Sequence, residues 1–373
     1  MGDAVDGARD TADVLIVGAG PTGLAAALFL AERGHRPRVL EQRRERAPWS
    51  RAFGVNARTL ELLAPSGVTD RFLAGERRLE RLTLRRHDRP LATLRLDEVE
   101  HRYPFMLIQG QAESERLLEA ALGDRGVRVE RGVEVVGLGR DGVRAHLDVV
   151  RPGGERRALT ARCVLGADGA GSGVRRALGI AFDGEAYAEP WRLYDVELTG
   201  PLPRDEASIL LLDDGGVFVV RLTDDVWRVL GNVPDLLERL PPGTAVGRVH
   251  WQSEFGIANR AAARFADPPF YLAGDAAHVH AGIGARGMNL GVEDAYVFAA
   301  LYDAAALDRY AVRREPTVRK VVRQIRRAMG PPRPSTLEGR AVRAAPWAVP
   351  LLVAVARGPA QRWILGLDHA LEL

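Results

Sequence analysis

The sequence predicts an α/β protein. A parallel-sheet domain is interrupted by an antiparallel-sheet section and followed by a C-terminal helical segment. Three observations predict it. A glycine turn, Gly18-x-Gly20-x-x-Gly23, follows an apolar strand and opens a helix. Two more strand–turn–helix units stand far downstream, at 161–180 and 268–304, each with a Gly/Asp pair at the strand end. Between these units lie stretches whose apolar and polar residues alternate, the period of a half-buried strand.

The first strand is read at Asp13–Val17, apolar and β-branched, as a parallel strand covered on both faces requires. Gly18 permits the tight turn, Gly20 lets the backbone approach a phosphate, and Gly23 lets the helix pack close to the strand. Pro21 suits the first helical turn. The helix runs to about Glu32 and aims its N-terminus at a pyrophosphate. A second strand, "RPRVLEQ" (36–42), ends in Glu41, about 20 residues past the glycines, where a carboxylate accepts hydrogen bonds from a ribose. Glu41 argues against a ribose 2′-phosphate here, but it does not separate NAD from FAD.

The later units separate them. In "ARCVLGADGAGSGVRRALGI", the strand Cys163–Ala167 ends in Asp168-Gly169 and a short helix starts near Ser172. In "PPFYLAGDAAHVHAGIGARGMNLGVEDAYVFAALYDA", the strand Phe270–Ala273 ends in Gly274-Asp275 and a long helix begins near Gly287. A NAD dehydrogenase needs no such unit this late, whereas FAD, extended across the domain, does. Asp275 can accept a hydrogen bond from a ribityl hydroxyl. The helix opening at 285–289 can aim backbone N–H groups at the pyrimidine end of the ring, where it favours negative charge by about 0.3–1 kcal/mol.

This trio of motifs, with "GARGMNLGVEDA" (284–295) in the third, resembles the class A flavoprotein monooxygenases of the p-hydroxybenzoate hydroxylase fold. "SRAFGVNARTLELLAPSGVTDRFLAGE" (50–76) and "QAESERLLEAAL" (111–122) resemble the branch that hydroxylates aromatic polyketides. The resemblance runs from about Asp13 to Asp303. It implies a Rossmann-like domain holding FAD tightly but noncovalently, with NADH or NADPH as reductant. It also implies O2 activation as a flavin C4a-hydroperoxide and hydroxylation of a phenolic, polycyclic ring. The expected division is an FAD-binding domain in three parts (1–79, 105–185 and 256–307), a substrate domain in two (80–104 and 186–255), and C-terminal helices over 308–373.

Carried over by position, the resemblance places Gly18, Gly20, Pro21, Thr22, Gly23, Glu41, Gln42 and Arg43 or Arg44 at the ADP half of the cofactor. Arg51 is implied near the flavin and pyrophosphate, Gln111 near the ribityl chain and Val135 at the adenine. Asp168, Gly274, Asp275, Ala285, Arg286, Gly287, Met288 and Asn289 complete the cofactor set towards the pyrimidine end. The chain departs from the family in having Ala281-Gly282 where a proline pair is frequent, which should loosen the loop beside the flavin. Arg286 also stands where Gln or Lys is common. Baeyer–Villiger or epoxidising chemistry on the same scaffold is the alternative activity. A non-catalytic FAD-bearing partner protein is the alternative of another class. A flavin halogenase would carry a W-x-W-x-I-P motif, which the sequence lacks.

The substrate section reads as a hairpin over 80–96 and strands at 191–200, 207–222 and 226–233, expected to form one antiparallel sheet over the flavin domain. Trp191, Tyr194, Phe218 and Trp251 are the expected substrate-binding side chains, with Phe255 a further candidate. No catalytic acid–base residue is named: the flavin carries the chemistry, and an ionised phenol activates its own ring.

Composition narrows the rest. Of 373 residues 46% are apolar and 27% charged, and the net charge of +3 leaves no nucleic-acid footprint. Lys320 is the only lysine. The helix from Asp308 to Met329 carries Arg309, Arg313, Arg314, Arg319, Arg323, Arg326 and Arg327 and reads as a solvated or interface face. Residues 330–339 read as a linker and 345–373 as one or two short helices. The apolar run 345–356 is shorter than the roughly 20 residues a bilayer span needs, so no integral membrane segment is expected. The opening "MGDAVDGARDTAD" lacks a signal peptide's basic-then-apolar pattern, so a cytoplasmic monomer or homodimer is expected. His278-x-His280 lacks a third ligand, so no metal is expected, and one of the two is a candidate to line the flavin pocket. Cys163 reads as inert core.

Overall fold

The computed structural model describes residues 11–48, 51–75, 77–86, 89–329 and 349–373. The opening strand, Thr11–Val17, lies inside an eight-stranded sheet between Arg156–Gly166 and Pro37–Glu41, parallel to both. Phe270–Leu272 extends the sheet beyond Arg156–Gly166 and Val129–Arg131 beyond Pro37–Glu41, again in parallel. Strands covered on both faces must be apolar throughout, and Val14, Leu15, Ile16, Val164 and Leu165 are fully buried. The helix Pro21–Glu32 packs between this sheet and the helices Gln111–Gly123 and Arg286–Asp303, which is why Gly23 to Leu30 are all buried. An antiparallel hairpin that the sequence reading did not anticipate, Glu134–Asp141 with Arg144–Val150, widens the sheet.

The second sheet has seven strands in the order Ala245–Phe255, Trp191–Thr199, Val226–Gly231, Gly216–Arg221, Ala207–Leu211, Arg81–Arg86, Arg89–Arg95. The two sections of sequence expected to share a sheet do share one. The pairing is antiparallel throughout except at their junction, where Ala207–Leu211 runs parallel to Arg81–Arg86. Only strands joined by a tight turn must be antiparallel, and these two are joined through the whole central part of the chain. Ile209, Phe218, Leu230 and Leu193 are cross-strand partners in one row. The opposite face, with Val196, Val219, Trp227 and Val229, packs into a second, smaller core.

The arginine-rich helix, Tyr310–Met329, is not wholly solvated as expected: Arg314 is 2% exposed. The expected linker at 330–339 and the start of the apolar run lie outside the described residues. A helix, Val349–Ile364, then leads into a tail ending at Leu373. Among the described residues no helix is long and apolar enough to cross a membrane.

Candidate active site

Val17, Gly166 and Leu272, the last residues of three parallel strands, lie side by side in register. Their turns therefore leave the sheet at one level, at the carboxyl ends where open α/β sheets bind ligands. Gly18, at φ +106°, sits against the second turn: a Cβ there would lie 2.3 Å from the Ala167 carbonyl oxygen. A Cβ on Gly23 would lie 2.0 Å from the Gly18 oxygen, so helix and turn touch backbone to backbone. Thr22 reaches the third turn, where its Oγ1 stands 2.4 Å from the would-be Cβ of Gly274. Gly20 differs, with nothing within 4 Å of that position. The three turns are one surface, and its centre is open backbone at a helix N-terminus that begins with Pro21.

Carboxylates surround this opening. Glu41 accepts from the Ala19 amide through Oε2 and from the Arg43 amide through Oε1, both at 2.9 Å, which pins it beside the glycine turn. Gln42, Arg43 and Arg44 are exposed around it. Asp168 uses Oδ2 to accept from the Val174 amide at 3.0 Å, while its Oδ1 is buried with no protein partner. Asp275 is exposed at the end of the third strand, between the buried Gly274 and Ala276. The surrounding protein raises its carboxyl above the usual aspartate range, against the pull of His278. An open glycine backbone, an orphaned buried acceptor and an exposed carboxylate at the third turn fit a nucleotide bearing phosphates and hydroxyls.

The remaining expected cofactor residues are more scattered. Gln111 donates to Glu115 Oε1 at 2.8 Å, and its amide donates to the Ala52 carbonyl. Val135 is half-buried on the unanticipated hairpin. The Arg51 guanidinium lies 4.4 Å over the Phe255 ring and 3.4 Å from Ser253 Oγ, on the side of the second sheet.

The helix Arg286–Asp303 starts from two successive left-handed residues, Gly284 (φ +69°) and Ala285 (φ +52°), with no side-chain cap on its first turn. Its leading N–H groups are left for a ligand. Asn289 does not offer its side chain: Oδ1 accepts from the Asn56 amide at 3.0 Å, and Nδ2 donates to the carbonyls of Gly54 and Ala285. It staples the 54–56 loop to the helix start. Met288 packs against the core, and Gly287 lies beside His280. Arg286 is turned away from the expected pyrimidine end. Wholly buried, it donates to Asp368 Oδ1 at 3.0 Å and to the Trp363 carbonyl, because the C-terminal tail brings a carboxylate beneath the helix start. Only its backbone remains at the site.

Beyond that helix start opens a cavity of about 480 Å³. Phe53, Trp191, Ile209 and Phe218 line one side, and Gly282–Ala285 with Trp363 and Ile364 the other. Phe53 and Phe218 lie 5.7 Å apart between ring centroids. Among the described lining residues only Arg86 and Asp213 are charged, paired with each other at 3.0 Å. Of the expected substrate side chains, Trp191 and Phe218 line this cavity, and Tyr194 and Trp251 do not. Tyr194, three positions from Trp191 in one strand, necessarily points to the other face and packs on the second core. Trp251 packs on the Arg228 guanidinium, 5.5 Å from its ring. The sequence reading missed Phe53, which sits inside the quoted "SRAFG", and Trp363, for which the tail gives no local signal.

Under the site runs a buried chain of charges. His278 Nε2 meets Asp294 Oδ2 at 2.7 Å, Asp294 Oδ1 meets Arg314 Nε at 2.7 Å, and Arg314 reaches Glu293 at 3.5 Å. Glu293 holds His369 at 2.7 Å. Burial alone would raise the two carboxyls, but Arg314 and the histidines outweigh it and hold both below the usual range. His280 makes its hydrogen bond from Nδ1 to the Ala281 carbonyl, and burial pushes its pKa down to about 3, so it is neutral. Among the described residues no group of three metal-ligating side chains occurs.

Three converging turns on a parallel sheet, beside an aromatic cavity roofed by a second sheet, define a flavin-dependent oxidoreductase of mixed α/β architecture. Residues 11–224 and 233–325 match the FAD binding domain family, and the chain belongs to the class A flavoprotein monooxygenases, with aromatic and polyketide hydroxylases as relatives. It is 33% identical over 337 residues to an uncharacterized aromatic compound monooxygenase of Bacillus subtilis, covering 83% of this chain and 67% of that one. It is 33% identical over 348 residues to the 6-methylpretetramide 4-monooxygenase of Streptomyces rimosus, covering 86% and 62%. The p-nitrophenol 4-monooxygenase of Pseudomonas putida DLL-E4 superposes with a TM-score of 0.83 at 25% identity, covering 96% of this chain and 99% of that one. The chain thus spans under two thirds of the Streptomyces relative and nearly all of the Pseudomonas one.

Proposed function

We propose that this protein is an NAD(P)H-dependent FAD monooxygenase that hydroxylates a phenolic, polycyclic aromatic compound in the cytoplasm, as a monomer or homodimer. The observation that carries the reading is the register of Val17, Gly166 and Leu272, which brings three nucleotide-type turns together, while residues 282–285, at the start of the helix that follows the third turn, line an apolar, aromatic-walled cavity. Gly18, Gly20, Thr22 and Glu41 would hold the ADP half, Asp168 and Asp275 the hydroxyls of the middle, and the backbone of residues 285–289 the pyrimidine end. FAD held there and reduced by NADH or NADPH would supply the chemistry that activates O2, one oxygen atom entering the aromatic ring and the other leaving as water.

The chain's own residues bind, orient and exclude water. Phe53, Trp191 and Phe218 give flat walls that suit a planar ring. The uncapped start of Arg286–Asp303 favours negative charge, which would suit the pyrimidine end of a reduced flavin. No titratable side chain other than Arg86 and Asp213 lines the cavity among the described residues, which suits a substrate that activates its own ring when ionised.

The test is incubation of the FAD-loaded protein with NADPH, oxygen-18 dioxygen and a panel of mono- to tetracyclic phenols, with products read by mass spectrometry. One heavy oxygen in a new hydroxyl is the expected result. A ring-expanded lactone would move the assignment to Baeyer–Villiger chemistry. Loaded protein whose NAD(P)H oxidation no phenol stimulates would end the hydroxylase reading.

A further inference from the structure

Trp363 closes the aromatic cavity from a part of the chain that lies beyond the three motifs. It stands near the end of the helix Val349–Ile364, and its benzo ring rests on Gly284: a Cβ there would come within 2.5 Å of Cζ3. The backbone that carries the ring is tied down on several sides. Arg286 donates to the Trp363 carbonyl and lies 5.8 Å from its ring centroid. The Arg58 amide donates to the Leu365 carbonyl at 3.1 Å, and Arg58 Nη2 donates to the His369 carbonyl at 3.1 Å. His369 is in turn held by Glu293 at 2.7 Å. The ties are to the helix Arg286–Asp303 or to the adjoining helix Ala57–Leu63, so the tail backbone that carries the indole is held against the helix that begins beside Gly284.

Trp363 is also the only described residue that lines both the 480 Å³ cavity and a neighbouring cleft of about 830 Å³. The cleft's other described walls include Arg58, Gln324, Ala360, Leu367 and His369. One aromatic side chain is therefore common to an apolar chamber and to a neighbouring cleft whose described walls also carry Arg362 and Asp368. We propose that Trp363 is the partition that ends the aromatic cavity and so determines the length of the fused-ring system it admits. This rests on the aromatic-substrate reading above. A planar substrate enters along the row of Ile209, Phe218 and Leu230 and runs until its far ring meets the indole. Removing the indole joins the two spaces and lets a longer ring system extend into the cleft.

The experiment measures binding, so that it stands apart from turnover. Equilibrium dialysis of the FAD-loaded protein with phenol, 2-naphthol, 2-anthrol and a hydroxytetracene is compared for wild type, Trp363→Ala, Trp363→Phe and Leu365→Ala. Trp363→Ala should shift the preference towards the longer probes, raising affinity for the tetracyclic phenol relative to 2-naphthol at least tenfold. Trp363→Phe should keep the wild-type order. Leu365→Ala, which loosens the tail without opening the partition, should weaken all four alike. If Trp363→Ala does not retain FAD, Trp363→Leu carries the same comparison. An unchanged order, a uniform loss in the Trp363 variants, or a wild type that binds none of the probes overturns the proposal. A length shift without any hydroxylated product would leave the partition standing and remove the hydroxylase reading. Hydroxylation without a length shift would do the reverse.

Discussion

Nε2 of His278 lies 2.7 Å from Oδ2 of Asp294, and both side chains are wholly buried. The same carboxylate oxygen accepts from the Gly274 amide at 3.0 Å, and the other accepts from Arg314 at 2.7 Å. One aspartate thus joins the third nucleotide turn, a histidine behind it and the arginine-rich helix. Removing one partner of a buried ion pair strands the other charge, at a cost of about 3–5 kcal/mol. Asp294→Ala should therefore lose stability on that scale in urea unfolding. FAD content at equal folded fraction should also fall, because the Gly274 amide loses its anchor. A loss below about 1 kcal/mol, the scale of a surface pair, would show that the network is not what fixes the turn.

Two glycines of the first turn make opposite predictions. Gly18 has a positive φ and no room for a Cβ, so Gly18→Ala meets both left-handed strain, about 1–2 kcal/mol, and a collision with the Ala167 carbonyl. That variant should be unstable with or without cofactor. Gly20 has φ −76° and ψ −179°, which any residue adopts, and open space above it. Gly20→Ala should unfold at the wild-type urea concentration as apoprotein, yet bind FAD at least tenfold more weakly, about 1.4 kcal/mol. Equal FAD affinity for Gly20→Ala and wild type, by fluorescence titration, would move the pyrophosphate away from this turn.

Local pattern made the parallel sheet, the glycine turn, the helix 21–32 and the long late helix legible, because each is coded by neighbours: a strand's apolar run, a capping glycine, a proline at the first turn. The cavity's composition was legible only in part. Trp191 and Tyr194 both read as apolar candidates, but strand periodicity puts them on opposite faces, and which face is inward depends on what the sheet packs against. In sequence Arg286 reads as a cofactor residue and Arg314 as part of a solvated or interface face. Their burial depends on Asp368 and Asp294, and the first of these lies in a tail whose docking no local signal announces. Trp363 was invisible for the same reason. The parallel junction between Ala207–Leu211 and Arg81–Arg86 likewise follows from long-range topology rather than from alternation.

Cys163 lies in the strand Arg156–Gly166, 3% exposed, and burial, with a smaller contribution from Asp13, pushes its thiol up to about 12. Only the thiolate reacts with disulfide reagents. Native protein at mildly alkaline pH should therefore leave an aromatic disulfide reagent unreacted over the time in which urea-unfolded protein is fully labelled. Rapid labelling of the folded protein would mean that the central sheet opens on that timescale.

His369 gives the fold a pH dependence of known sign. Burial would lower its pKa, but its hydrogen bonds to Asp368 and Glu293 outweigh this and raise it above 6.5. In the window between the two values the folded state holds a proton that the unfolded state has lost, so its stabilisation is full below about 6.5 and disappears as pH rises through the folded value. His280 acts oppositely: with its pKa near 3, the unfolded chain binds a proton that the folded one does not, and stability falls as pH drops below 6.5. Thermal unfolding across mildly acid to mildly alkaline pH should show a maximum, with His369→Gln flattening the alkaline limb and leaving the acid limb in place. The variant should also release the tail, because Glu293 and Asp368 lose the cation between them. Faster amide hydrogen exchange over 363–369 at pH below 6.5 would report that release, whereas exchange equal to wild type would show that Arg286 and Arg58 hold the tail unaided.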